Sequence, residues 1–506
     1  MKNHLLKRIV SSLLCVISAF AFCLTTACNN NNDNPTDENT VQINEIVTVE
    51  GGQIKGYPVV GAEEILSFKG IPYAAPPVGE NRWRRPQPVE NWDGVKDCKD
   101  FGNSAMQPAQ EVIEGSRDTE EFIISNKNYS EDCLNLNVWA KGGTTVKNKP
   151  VLVYVHGGAW VAGGSSCEIY NGQNIAKEDV IFVSINYRLG IFGWFANDEL
   201  IEEDEEGSAG NYGLMDIIKA LEWVKNNIAA FGGDGNNITL MGQSAGSNLV
   251  QFAMVSPKTQ GLIKNVVACS HNTMASNPAA VTTRAKSCNS LGSLDELRAL
   301  SAEELENKYE SNFALVLSCI SVCNDGIYVD NDLGSALKEG RASNVNLITG
   351  MVWDKEENNG NNDSQFAGPA VNGLTTGELL VANLNTEAKA RRDGKAKGKT
   401  YLYIFSHALS GPEMDKHGAF HTSDIPHFLN YRTPLRNEYW TEDDVLVGKT
   451  MSSYLVNFCK TGNPNGDNLI SWKPNSGNYK YMSLNKDCEM KILSTEQIAA
   501  YEAATM

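Results

Sequence analysis

The chain has 506 residues, 42% of them apolar and 21% charged, with a formal charge of −18. This is ordinary globular composition, sufficient to bury a large core, and it excludes disorder on a large scale. The acidic balance argues against a nucleic-acid partner, because phosphate binding rests on clustered Lys and Arg.

At the N-terminus Lys2, Lys7 and Arg8 precede an apolar run from Ile9 to Leu24, too short and too early for a membrane span. That is the form of a secretory signal. Its end, Thr25-Thr26-Ala27-Cys28, resembles a bacterial lipoprotein processing site, with a small residue before the Cys that receives the lipid. Thr25 departs from that pattern, where Leu is usual. The tract from Asn29 to Thr40 holds six Asn and no aromatic residue, the composition of a flexible tether. The expectation is a signal over residues 1–27, a lipid anchor at Cys28 with a tether to residue 40, and a folded domain over 41–506 held at the cell envelope. An ordinary secretory signal cleaved near Ala27 is the plainer alternative.

Beyond the tether, short apolar runs alternate with longer amphipathic segments, which predicts an α/β fold: a large, mostly parallel sheet flanked by helices. Val151 to Val155 (VLVYV) and Val180 to Asn186 (VIFVSIN) are continuous β-branched runs, as strands buried on both faces require. Leu214 to Phe231 places Leu214, Ile217, Ile218, Leu221 and Val224 at helical spacing, and Gly232-Gly233 stops it. Ile238 to Met241 reads as a strand running into Gly242-Gln243-Ser244-Ala245-Gly246, with a helix beyond. Further strands are predicted over 265–268, 346–349 and 401–405, and a charged, exposed helix over 301–309. No internal repeat and no second-domain linker appears, so one domain is expected.

The Gly-x-Ser-x-Gly pattern at 242–246 is that of a nucleophile elbow, whose glycines permit a turn tight enough to project the Ser hydroxyl above the sheet. With 44 glycines in the chain a bare match carries little; the flanking strand and helix carry the inference. Upstream, His156-Gly157-Gly158-Ala159-Trp160 follows a predicted strand where such hydrolases keep an oxyanion loop, so the amides of Gly158, Ala159 and Ala245 are the expected donors. A Ser nucleophile also needs a histidine base. His417, His421 and His427 all stand in the downstream loop where that base belongs.

These segments resemble the type-B carboxylesterases, the family that includes cholinesterases and bile-salt lipases. The resemblance runs from about Val47 to Tyr481. It rests on FKGIPYAAPPVGENRWRRP, SEDCLNLNVW, HGGAW, INYRLGIFGW, the stretch from GNYGLMD to MGQSAG, GAFHTSDIPHF and NFCKTGNPNG, all in the family order. It implies an α/β-hydrolase fold, a serine esterase needing no cofactor, a small-molecule or lipid ester as substrate, Ser244 as nucleophile and His421 as base.

The acid departs from the family pattern. Where a Glu is usual the chain carries Lys355, which cannot accept the histidine N–H, within Asp354-Lys355-Glu356-Glu357. If Lys355 is an insertion, Glu356 takes the role, with Asp354 and Glu357 as alternatives. Gln243 stands where Glu is commonest. The resemblance also implies ion pairs of Arg82 with Glu131 and Arg188 with Asp216, and disulfides Cys98–Cys133 and Cys269–Cys288, although the family's first Cys lies nearer Ala105. Of the twelve cysteines, three fall in the leader and at the proposed anchor, and an odd number remains in the domain. No Cys/His cluster has zinc-ligand spacing, so no metal site is indicated. The competing reading is a noncatalytic binding or adhesion module on the same fold, which the displaced acid favours and the retained Ser244, His421 and HGGAW oppose.

Overall fold

A computed structural model describes residues 39–112, 119–311, 320–354, 362–411 and 414–505. The leader and anchor residue expected over 1–28 lie outside the described residues. The chain divides into the units Met1–Thr40 and Val41–Met506, and the second is described below. Among the described residues no helix is long and apolar enough to cross a membrane.

Eleven strands form the main sheet: β1 Tyr57–Val59, β2 Ala62–Pro72, β3 Asn135–Lys141, β4 Lys149–Val155, β5 Ile181–Ile185, β6 Gly233–Gln243, β7 Asn265–Cys269, β8 Asn346–Val352, β9 Thr400–Phe405, β10 Lys480–Leu484 and β11 Glu489–Ile492. Their spatial order is β11-β10-β9-β8-β7-β6-β4-β5-β3-β2-β1. From β10 across to β5 every neighbouring pair is parallel, and the outer pairs are antiparallel. The apolar runs are continuous because both faces are covered. Val151, Val153 and Val155 enter one buried cluster, whereas Leu152 and Tyr154 enter another on the opposite face.

Helix α1, Tyr212–Asn227, buries Leu214, Ile217, Ile218, Leu221 and Val224 in the first cluster. A short 3-10 turn then ends at Gly232, whose φ of 82° is the left-handed conformation that glycine adopts without cost. Gly233 already belongs to β6, so that strand begins five residues before the expected Ile238. The helix expected from residue 301 spans Ala302–Glu310 and is started by a capping box between Ser301 and Glu304.

Both implied ion pairs form. Arg82 meets Glu131 through two hydrogen bonds of 2.7 and 2.6 Å, and its remaining nitrogen reaches the carbonyls of Leu297 and Leu300. Arg188 grips Asp216 through Nε and Nη2 at 2.8 and 2.7 Å, with both side chains buried. With its donors met, such a pair tolerates burial that would otherwise cost several kcal/mol.

The disulfide expectations are corrected. Cys98 and Cys133 are both free, buried thiols. Cys133 lines a small cavity with Ala105, Met106, Arg82 and Glu131, and Cys98 is not among its lining residues. Cys98 instead follows the short strand Val95–Asp97, its amide and carbonyl engaged by Lys55 and Lys69. Burial pushes the Cys98 thiol up to about 12, the property of an inert core cysteine. Cys269 is likewise a free thiol, so it does not pair with Cys288, which is itself disulfide-bonded.

Candidate active site

Four loops meet at the carboxyl ends of the parallel strands, where open α/β sheets bind their ligands. They follow β4, β6, β8 and β9.

The loop after β6 is the elbow. Ser244 has φ 56° and ψ −123°, a strained conformation for a non-glycine residue, and it caps helix α2, Ala245–Val255. Its amide donates to the Cys269 carbonyl at 2.8 Å, which pins the turn to β7. Both elbow glycines are required by close approach. A Cβ on Gly242 would lie 2.4 Å from the Gly246 oxygen, and one on Gly246 would lie 2.3 Å from the Val155 oxygen.

After β4 the chain curls through three consecutive positive φ values, at Gly158, Ala159 and Trp160. The amides of Val161 and Ala162 both donate to the Gly158 carbonyl, and Gln107 clamps Gly163 from both sides at 2.8 Å. Among the described residues no hydrogen bond takes up the N–H of Gly158 or Ala159. Ala245 begins α2, so its N–H has no intrahelical acceptor and sits at the positive end of the helix dipole. Gly158, Ala159 and Ser244 line one cleft. His156 is part of the scaffold: its ring stacks on Tyr187 at 4.4 Å, its Nδ1 contacts the Gly157 carbonyl at 2.7 Å, and burial pushes its pKa down to about 4.

His421 follows β9 and lines the same cleft as Ser244. Its Nδ1 lies 2.5 Å from Oδ1 of Asp363, a fully buried carboxylate. The other oxygen of Asp363 accepts the amide of Val352, the last residue of β8, at 2.6 Å. With the Nδ1 proton directed at Asp363, Nε2 carries the lone pair, and the Gln243 side-chain nitrogen stands 3.1 Å from it.

Among the described residues the carboxylate on Nδ1 is therefore Asp363 and not Asp354. Glu356 and Glu357 lie outside the described residues, as does Lys355. Asp354 accepts the Ala419 amide at 2.8 Å, bracing the loop two residues before His421 rather than touching the ring. Of the rival histidines, His427 faces Asp444 and His417 packs edge-on to Phe420.

Three further groups were not legible in the sequence. His271 lies in an aromatic row, 5.9 Å from Trp160 and 5.2 Å from Phe366, which is itself 6.1 Å from His421. Burial, with the charge of His421, pushes the His271 pKa down to about 4. Asp424, three residues past His421, receives the Tyr403 hydroxyl at 2.7 Å, and burial pushes its pKa up to about 7. Glu121, buried with Arg436 and Thr433, secures the wall residues Phe122 and Ile123. No spacing announces these groups, because each acquires its role from segments far apart in the chain.

The cleft has a volume of about 510 Å³. Phe122, Ile123, Tyr170 and Phe420 supply apolar walls, Gln110 and Glu111 a polar edge, and no Lys or Arg lines it among the described residues.

Comparison with known proteins shows the family and the fold. The carboxylesterase family matches residues 43–360 and 352–501. A para-nitrobenzyl esterase of Bacillus subtilis is 34% identical over 475 residues, covering 85% of this chain and 92% of that protein. Mouse cholinesterase is 27% identical, covering 87% of this chain and 83% of that protein. A crystal structure of a Geobacillus stearothermophilus carboxylesterase superposes with a TM-score of 0.74 at 25% identity, covering 90% of this chain and all of the other.

Proposed function

This chain belongs to the carboxylesterase family and is a carboxylic ester hydrolase, and from that premise we propose that Ser244, His421 and Asp363 are the residues that carry out the hydrolysis. The Ser244 hydroxyl attacks the ester carbonyl while Nε2 of His421 takes its proton. Asp363 holds the ring in the required tautomer and stabilises the imidazolium. The tetrahedral oxyanion is received by the amides of Gly158, Ala159 and Ala245, each worth about 3 kcal/mol in the transition state. Collapse expels the alcohol, which leaves with the proton from His421. Water then repeats the sequence on the acyl enzyme and regenerates Ser244.

The observation that carries this reading is the 2.5 Å contact between Asp363 and Nδ1 of His421, with Nε2 left facing the elbow through Gln243. In that resting arrangement the Gln243 amide occupies the lone pair that must later take the Ser244 proton, so substrate binding exchanges one partner for the other. The cleft suits uncharged esters with an apolar acyl or alcohol group, since Phe122, Ile123, Tyr170 and Phe420 give it an apolar side and, among the described residues, no Lys or Arg lines it to hold a carboxylate. Labelling the purified protein with a fluorophosphonate tests the nucleophile: the adduct should map to Ser244 by peptide mass spectrometry. Absence of labelling, or labelling elsewhere, would overturn the assignment.

The small residue before Cys28 and the polar tract after it support export and lipid anchoring at that cysteine, with the catalytic domain carried at the envelope membrane on a tether of about 20 Å as a flexible coil. Mass spectrometry of the mature N-terminus decides this, and an unmodified N-terminus would refute it.

A further inference from the structure

Behind the catalytic histidine loop, three segments converge on a second group of ionisable side chains. His407 lies two residues beyond β9. His427 lies in the short helix α3, Ile425–Phe428, six residues after His421. Asp444 lies in the first turn of helix α4, Glu442–Thr461. One atom from each of the three falls within 4.8 Å of the other two, from residues 20 and 17 positions apart. No local motif could have shown them in the sequence.

We propose that His407, His427 and Asp444 form a binding site for a divalent transition-metal cation, zinc by the chemistry of its two imidazoles and one carboxylate. The ligand separations suit it. His407 Nε2 is 3.0 Å and His427 Nε2 is 3.8 Å from Oδ1 of Asp444. An ion about 2.1 Å from each ligand atom needs those atoms roughly 3 to 4 Å apart.

Each ligand is also oriented from behind, as metal ligands characteristically are. The Nδ1 of His427 contacts the Ser423 carbonyl at 3.1 Å, and the ring is stacked on Trp440 at 5.2 Å and packed against Phe405. The far oxygen of Asp444 accepts the hydroxyls of Ser410 and Thr441, both at 2.6 Å, and the Thr441 amide at 2.8 Å. That leaves Oδ1 aimed at the two imidazoles.

The decisive feature is the inner nitrogen of His427. The residue is completely buried, and Nε2 has no hydrogen-bond partner. If the ring proton is on Nδ1, where the Ser423 carbonyl can accept it, the Nε2 lone pair faces a carboxylate oxygen across 3.8 Å. If the proton is on Nε2, the Nδ1 lone pair faces the carbonyl oxygen instead. Either neutral tautomer sets two electron-rich atoms against each other, and complete burial penalises charging the ring. A cation between Nε2 and Oδ1 removes the conflict, with Nδ1 keeping its proton for Ser423. Coordination through Nε2 would leave the ring proton of a neutral His407 on Nδ1 and replace its 3.0 Å contact with Asp444 by a shared cation. The His407 side chain is 14% exposed and provides the entry.

A cation here would tie the end of β9, the segment carrying His421 and the start of α4 into one unit. None of these three side chains belongs to the Ser244, His421 and Asp363 set.

The test uses the purified full chain, stripped with a chelator, dialysed and titrated with zinc sulfate by calorimetry, with elemental analysis and thermal melting beside it. The expected result is one zinc per chain beyond that bound by H427F and H407Q, and a melting temperature several degrees higher in the wild type alone at a hundredfold excess over Kd. Phe keeps the His427 ring stacked in its apolar surroundings. Should H427F fail to fold, H407Q, altered at a partly exposed position, decides alone. Wild type that binds no more zinc than the variants, or variants that keep both the zinc and the thermal shift, would overturn the site and leave a protonated His427 as the bridge to Asp444.

Discussion

The two halves of the proposed catalytic centre are built differently. The elbow and the oxyanion loop grow directly out of β6 and β4 at the middle of the sheet, and their geometry is enforced by neighbouring backbone. Gly242 and Gly246 leave no room for a side chain, Ser244 is tied to Cys269, and the loop after β4 folds around one carbonyl. His421 and Asp363 sit instead on long loops after β9 and β8, joined by side-chain contacts: Asp363 to His421, Asp363 to the Val352 amide, and Asp354 to the Ala419 amide. A site can thus hold its nucleophile by local sequence and its acid–base pair by tertiary contact. The first half resists displacement, whereas the second lets a carboxylate move along the chain provided another loop residue reaches the same ring nitrogen.

The largest effect that follows is on Ser244. Ser244→Ala should lower kcat by about 10⁶ while leaving the melting temperature within a degree or two, because glycines and backbone, not the hydroxyl, make the turn. Hydrolysis of p-nitrophenyl esters together with a thermal melt measures both, and a large loss of stability would break the claim that the elbow is set by its backbone.

His156 sharpens the same half. Its pKa is depressed from 6.5 to about 4 by burial, so between those values the unfolded chain binds a proton that the folded chain does not. Stability from this group therefore rises as pH increases from about 4 to 6.5, by about 3 kcal/mol over the window. His156→Phe, which keeps a ring against Tyr187, should flatten that rise by about one proton in denaturant unfolding at pH 4.5 and 6.5. An unchanged slope would show that the ring is not held neutral.

A smaller loss is expected at Gly246. Gly246→Ala puts a methyl against the Val155 carbonyl and should cost about 1–3 kcal/mol, with activity falling as the elbow opens. Chemical denaturation measures it, and a neutral result would mean that the β4–β6 spacing is softer than its packing implies.

The same division explains what could be read from the sequence. The runs at 151–155 and 180–186, the helix from Leu214, and the Ser244 and HGGAW turns were legible because period, propensity and glycine placement act over a few residues. Asp363 was not, because the family register directs attention to the residues just after β8. Asp363 stands beyond an Asn- and Gly-rich stretch that reads as a plain loop, and only the fold returns it to His421. The cysteine pairings failed for a related reason. Disulfides are decided by which side chains face each other, and Ala105, not Cys98, shares the cavity with Cys133. The helix over Thr376–Asp393 was also missed, since its mixture of Asn, Thr, Ala and charged residues has little apolar periodicity, although a capping box between Thr375 and Glu378 marks its start.

The carboxylate that serves His421 is identified most directly by one series of rates. Asp363→Asn keeps the shape of the side chain but removes the charge that orients and stabilises His421, so kcat should fall by about 10⁴ with the fold intact. Asp354→Asn, which weakens only a brace on the loop, and Glu356→Gln should each cost far less. If Glu356→Gln proves the crippling change while Asp363→Asn keeps most of the activity, the contact at Nδ1 is not the catalytic one and the assignment of Asp363 is wrong.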